Sequence, residues 1–158
     1  MDMVDTERYA RHISLPDVGI TGQKLIDDSR VLVVGAGGLG SPVLMYLAAA
    51  GIGHIGVVDD DAVDLSNLQR QIIHSESAIG RPKVESAKER INSINSAIKV
   101  TTWNARLSPD NAEEILCDWD IVIDGTDNIP TRYLVDDICN LLGIPWIYGS
   151  IYRFEGQV

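Results

Sequence analysis

Continuous apolar runs rich in β-branched residues recur at residues 30–34, 54–58, 98–103, 119–123 and 145–151, and these read as five strands. Between them the apolar positions return at helical spacing. Residues 42–50 are rich in Leu and Ala, and 81–94 align Val84, Ala87, Ile91 and Ile94, with Pro82 in the first turn. Ser108-Pro109-Asp110 is placed to cap a further helix running to about Cys117. Asp127 and Asn128 precede a last helix that continues through Leu142 and stops at Gly143. Strands alternating with helices predict an α/β fold, a Rossmann-like doubly wound and mainly parallel sheet in strand order 3-2-1-4-5. Ligands of such a sheet bind at the carboxyl ends of its strands.

Two short helices are expected ahead of the sheet, an amphipathic one over residues 6–13 and a second near 21–28. Residues 60–80 show no clear period and carry Asn, Ser, Gln and Asp, so they read as a long loop with at most a short helical turn. The expected division is an N-terminal helical segment, 1–28, that could cover the sheet or a partner, followed by the doubly wound domain, 29–158. The chain stops after Glu155-Gly156-Gln157-Val158 with no closing helix, the pattern of a domain cut from a longer protein. No internal repeat or low-complexity tract is present.

Composition narrows the function classes. Thirteen Lys and Arg against 23 Asp and Glu give a net charge of −10, which disfavours nucleic acid and anionic membrane surfaces as partners. A polyanionic ligand must then be held by local cations and backbone N–H groups. The acidic N-terminus has no apolar segment of a secretory signal and no run of eighteen apolar residues occurs, so a cytoplasmic location is expected. Cys117 and Cys139 have no CxxC spacing or neighbouring His, and both are expected to be buried reduced thiols.

Candidate chemistry begins at Gly35-Ala36-Gly37-Gly38-Leu39-Gly40, which follows the first strand and opens a helix. Gly35 suits the tight turn, Gly37 and Gly38 the close approach of phosphate, and Gly40 close helix-to-strand packing. Glycines used for packing alone are the bland alternative. Asp59 lies 19 residues beyond Gly40, at the end of the second strand, where a carboxylate accepts from ribose hydroxyls. To this point NAD or FAD fits as well as ATP. Arg70 and Lys83 separate them, because two cations beyond a glycine loop suit the outer phosphates of a triphosphate. Ser66, Asn67 and Gln69 add neutral donors. Solvated surface charges are the alternative for either cation taken singly. Asp127, in Asp124-Gly125-Thr126-Asp127-Asn128, is placed to hold Mg²⁺, to cap the following helix, or to do both.

Together these motifs resemble the ThiF-type and molybdopterin-synthase adenylyltransferases, relatives of the ubiquitin-activating enzymes. The resemblance runs from Arg8-Tyr9-Ala10-Arg11 through the glycine loop, Asp59-Asp60-Asp61, Ser66-Asn67-Leu68-Gln69-Arg70-Gln71, Gly80-Arg81-Pro82-Lys83 and the Asp124 motif to Glu155-Gly156-Gln157. It implies an adenylyltransferase that uses ATP and Mg²⁺ to activate the C-terminal glycine carboxylate of a ubiquitin-like sulfur-carrier protein, in thiamine, molybdopterin or related sulfur transfer. The implied nucleotide-binding set is Gly35, Gly37, Gly38, Gly40, Asp59, Asp61, Ser66, Asn67, Leu68, Gln69, Arg70, Lys83, Asp127 and Asn128. Asp59 would take ribose; Asn67, Arg70 and Lys83 the phosphates; Asp127 the Mg²⁺. Arg11, Arg70, Lys83 and Asp127 are the implied catalytic residues, Arg11 reaching the partner's ATP across a homodimer. The family's paired CxxC zinc site and reactive cysteine fall after the end of this chain, and neither Cys117 nor Cys139 matches them. An NAD-dependent oxidoreductase and a noncatalytic scaffold of the same fold are the alternatives.

Overall fold

The computed structural model describes residues 4–158, so the first three residues of the expected 1–28 segment lie outside the described residues. The elements are α1 (Ala10–Ile13), α2 (Gly19–Asp28), β1 (Arg30–Val34), α3 (Gly40–Ala50), β2 (His54–Val58), α4 (Lys83–Ile94), β3 (Lys99–Trp103), α5 (Ala112–Leu116), β4 (Ile121–Asp124), α6 (Ile129–Leu142), β5 (Trp146–Tyr148), β6 (Ser150–Tyr152) and β7 (Glu155–Gln157). Strands β1 to β5 form one sheet in order β3-β2-β1-β4-β5, every pair parallel, as the alternation of strands and helices predicts. Central β1 buries both faces, because side chains alternate across a strand. Val31 and Val33 face Leu44, Ala48, Val84 and Ile91 of α3 and α4, while Leu32 and Val34 face Leu116, Val135 and Cys139 of α5 and α6. Val34 is in register with Val58 on one side and Asp124 on the other, so three strand ends and their loops converge at one place.

Several boundaries differ from the sequence expectation for physical reasons. The first helix shrinks to four residues, with turns over residues 6–9. Pro82 precedes α4 in extended geometry rather than lying inside its first turn. Ser108-Pro109-Asp110 does not cap α5; Asn111 takes that position, and its side chain turns back to accept from Ser108 N at 2.9 Å. Trp119 is core rather than strand: it is buried and donates its indole N–H to Ile115 O at 2.8 Å, so β4 begins at Ile121. The long loop holds two 3-10 turns, Leu65–Asn67 and Glu76–Ala78. The expected fifth strand breaks at Gly149, after which β6 leaves the sheet and pairs antiparallel with β7. Cys139 is buried, with burial pushing its thiol up to about 11, but Cys117 is exposed, correcting the expectation that both are buried. Among the described residues no helix is long and apolar enough to cross a membrane.

The N-terminal segment docks at the amino-terminal edge of the sheet. Tyr9 is buried beside Gly51 and its hydroxyl accepts from Asn95 Nδ2 at 2.9 Å, Arg8 donates to Ile94 O at 3.1 Å, and Gln23 donates to Ala50 O at 3.0 Å. Those partners end α3 and α4, which run back from the carboxyl edge.

Leu44 is fully buried between β1 and α4. Leu44→Ala is expected to cost about 2–5 kcal/mol of unfolding free energy, the usual range for a buried leucine, read from the urea midpoint.

Candidate functional site

The glycine loop leaves β1 at Gly35, whose φ of +94° only a residue without a side chain adopts at low cost. A Cβ at Gly40 would overlap the Gly35 carbonyl oxygen, so the start of α3 seats against the loop only as glycine. Beside this turn Ala36 N donates to Asp59 Oδ2 at 2.8 Å, and Asp59 Oδ1 accepts from Asp61 N at 2.9 Å. Burial pushes the Asp59 carboxyl above its ordinary range; those two N–H groups and the Lys83 ammonium act against that rise. Each Asp59 oxygen keeps a free lone pair for a hydroxyl donor.

Sequence reasoning missed the group on the other side of Ala36. His74 is buried, with Nε2 2.9 Å from Ala36 O and Nδ1 2.9 Å from Ser86 Oγ. A carbonyl only accepts, so Nε2 carries the proton and Nδ1 accepts from the Ser86 hydroxyl. Desolvation, with a contribution from Lys83, holds this imidazole below its ordinary 6.5, against the upward pull of the Ala36 carbonyl. The signal available beforehand was a histidine three residues after the Asn-Leu-Gln-Arg-Gln block, too little to find it.

Arg70 lies over the loop: its Cγ and Cδ are 3.6 Å from where a Gly38 Cβ would stand, and its Nη2 donates to Asn67 Oδ1 at 3.1 Å. Gln71 is buried with its amide nitrogen beside Gly37. Lys83 is also buried, and its ammonium donates to the exposed Asp61 carboxylate at 2.6 Å. The loop, Asp59, Asp61, Asn67, Arg70 and Lys83 thus come together. Ser66 and Gln69 are exposed on the same turn and Leu68 is half-buried there.

At the end of β4 the two alternatives for Asp127 separate. Asn128 caps α6, its Oδ1 accepting from Thr131 N at 3.0 Å, while Asp127 is exposed with no hydrogen bond or ion pair among the described residues. A free carboxylate of this kind fits a hard cation such as Mg²⁺. Asp59, Asp60 and Asp61 also cluster closely enough for a metal, but Asp59 is engaged by backbone and Asp61 by Lys83. Arg11 is exposed on α1, at the opposite edge of the sheet, and is not brought to this chain's own loop.

A five-stranded parallel sheet whose central strand feeds a glycine loop, flanked by a carboxylate and two cations at its carboxyl edge, defines a Rossmann-like α/β protein. Residues 9–158 match the ThiF family, and the chain belongs to that family. It is 54% identical over 153 residues to the probable adenylyltransferase/sulfurtransferase MoeZ of Mycobacterium tuberculosis, covering 97% of this chain and 39% of that protein. It is 48% identical over 154 residues to a sulfur carrier protein adenylyltransferase of Thermus thermophilus, covering 98% of this chain and 57% of that one. The chain therefore spans well under two thirds of the length of these relatives. Among solved structures, the E. coli tRNA N6-threonylcarbamoyladenosine dehydratase TcdA in complex with ATP superposes with a TM-score of 0.88 at 29% identity, covering 97% of this chain and 65% of that one.

The depressed His74 has a measurable consequence. As pH falls through about 6.5 the unfolded ring takes up a proton that the folded ring refuses, so stability is present above that pH and lost below it. His54, lowered chiefly by desolvation, contributes in the same direction. His74→Gln is expected to flatten the slope of unfolding free energy between pH 7 and 5 without abolishing it; an unchanged slope would count against a folded His74 held neutral by burial.

Proposed function

We propose that this chain is the nucleotide-binding domain of an ATP-dependent adenylyltransferase that activates the C-terminal glycine carboxylate of a ubiquitin-like sulfur-carrier protein. In this reading residues 29–158 bind the nucleotide and residues 1–28 contact a partner's site. The observation that carries it is Arg70 laid over Gly38 with Asn67 as its only hydrogen-bond partner among the described residues, together with buried Lys83: two cations beside a phosphate-type loop, which suit the outer phosphates of a triphosphate. The ATP bound by TcdA and the adenylyltransferase names of the relatives support the same choice. The oxidoreductase alternative is left with no observation of its own.

The carrier carboxylate is already ionised and attacks the α-phosphorus directly, forming the acyl–phosphate bond as the bond to the β-phosphate breaks and pyrophosphate leaves. No protein group need become covalently attached, so the barrier lies in aligning two anions and stabilising the charge between them. The glycine loop and α3 present N–H groups to the phosphates, Asp59 accepts from the ribose, and Arg70, Lys83 and Asn67 hold the outer phosphates. Asp127 is the residue that would hold Mg²⁺, which when bound supplies charge neutralisation on the triphosphate.

Carrier-dependent exchange of labelled pyrophosphate into ATP by the protein in its full length tests this reading. Asp127→Ala is expected to lower that exchange about a hundredfold, since a metal clamp on phosphoryl oxygens contributes several kcal/mol. Exchange that survives intact removes the metal role.

The placement of Arg11 at the far edge of its own sheet supports a site completed across a homodimer. Arg11→Ala and Arg70→Ala chains, each inactive, should recover about a quarter of wild-type exchange when mixed and allowed to reassort in equal amounts, because half the symmetric dimers then hold one complete site of two. No recovery in reassorted dimers, shown by differential tagging, excludes that arrangement.

A further inference from the structure

Under the Asp127 loop lies a further ion pair, one partner buried and the other partly so, that plays no part in the reading above. Asp124, at the end of β4, has no exposed side-chain surface, and Arg132, in the first turn of α6, places its Nε 3.7 Å from Asp124 Oδ2. Neither of those two atoms has a hydrogen-bond partner among the described residues, although both are buried. The guanidinium makes its hydrogen bonds elsewhere: Nη2 donates to Thr126 O at 2.9 Å and to Gly149 O at 3.3 Å, and the group lies 5.2 Å over the Tyr148 ring. A pair built for stability alone would close this 3.7 Å ion pair into a hydrogen bond, since a buried donor and acceptor left unmade are costly. This arginine is instead turned toward two backbone carbonyls, one of them in the peptide that joins Thr126 to Asp127.

The rest of the loop has the same bias. Thr126 gives its N–H and its hydroxyl to Asp124 Oδ1, at 2.8 and 2.6 Å, and its carbonyl to Arg132, so every polar group of Thr126 is occupied. Asn128 is occupied as the cap of α6. From 124 to 128 Asp127 is the one polar side chain with no hydrogen bond or ion pair among the described residues, held out between two neighbours whose side chains are engaged. The Gly149 carbonyl ties the same guanidinium to the point where the chain leaves the parallel sheet.

We propose that Arg132 is a positioning residue for the metal-nucleotide site: by bonding the Thr126 and Gly149 carbonyls it fixes the peptide before Asp127 and so aims that carboxylate. The proposal rests on Asp127 as the holder of a divalent cation. It places Arg132 in the role of an outer partner that orients a ligand without touching metal, nucleotide or carrier.

The test uses the full-length protein with Mn²⁺ as the probe metal. Free Mn²⁺ is measured by electron paramagnetic resonance in the presence of saturating ATP, with ATP affinity in EDTA measured alongside by calorimetry. Asp127→Asn is expected to abolish the protein's contribution to Mn²⁺ binding. Arg132→Met, which fills the same space without donors, should weaken Mn²⁺ about tenfold, the loss typical of removing an outer partner of a metal ligand, while metal-free ATP affinity stays within about twofold. Arg132→Lys keeps the charge facing Asp124 and reaches one carbonyl, so an intermediate loss is expected. Should the Met variant not fold, the Lys variant decides: a loss of about threefold or more supports the proposal, and wild-type Mn²⁺ affinity overturns it. Asp127→Asn losing Mn²⁺ while folded Arg132→Met keeps it overturns the positioning role alone. Mn²⁺ binding unchanged in Asp127→Asn overturns the metal reading and this inference with it. Equal losses of Mn²⁺ and metal-free ATP affinity in Arg132→Met also overturn the inference, by showing a general collapse of the pocket.

Discussion

One residue, Ala36, organises the carboxyl edge of this sheet. The N–H of Ala36 is taken by the Asp59 carboxylate and its C=O by the His74 ring, so the first turn of the glycine loop cannot rotate without breaking a bond on one side or the other. His74 passes the constraint on through Ser86 to α4, and Asp59 passes it to the backbone of Asp61, whose side chain meets Lys83. The glycine loop is therefore tied on both sides, to the segment after β2 and to α4. The other neighbour of β1 repeats the device: Asp124, beside Val34 in register, folds back onto the N–H of Thr126 and shapes the loop that presents Asp127. Two strands flank the central one, and each ends in an aspartate used first as a backbone clamp.

That division of labour accounts for how a chain with a net charge of −10 can present a site for polyanions. Most cations at this edge already face a carboxylate, Lys83 opposite Asp61 and Arg132 opposite Asp124. Arg70 is the exception, since its partner Asn67 is neutral and leaves its charge uncompensated over Gly38. The local field at the loop is set by which arginine lacks an acid, and the overall sum of charges says nothing about it.

The strand order and the glycine loop were legible because they rest on local rules: continuous apolar runs, helical spacing between them, and glycines at a strand-to-helix junction. The residues that were not legible act through space. His74 and Arg132 are polar groups with no period to announce them, and their partners are backbone carbonyls 38 positions away in one case and 6 and 17 in the other. Cys117 and Trp119 also depart from expectation where α5 ends: the thiol is exposed at its C-cap, and the indole packs in the core ahead of β4 instead of opening the strand. Asp127 and Asn128 are both competent helix caps, and only the geometry of the β4 loop shows that Asn128 takes the bond.

The buried ammonium of Lys83 and the solvent-facing carboxylate of Asp61 form an asymmetric couple. The lysine has already lost its water, whereas the aspartate regains hydration freely once released. An incoming anion thus competes against one carboxylate for a cation that is dehydrated in advance. A singly charged visitor offers no more than the acid it would displace, while a group with two or more negative charges offers a net gain. A polyphosphate bound at the proposed site would on this account compete for Lys83 better than a monoanion.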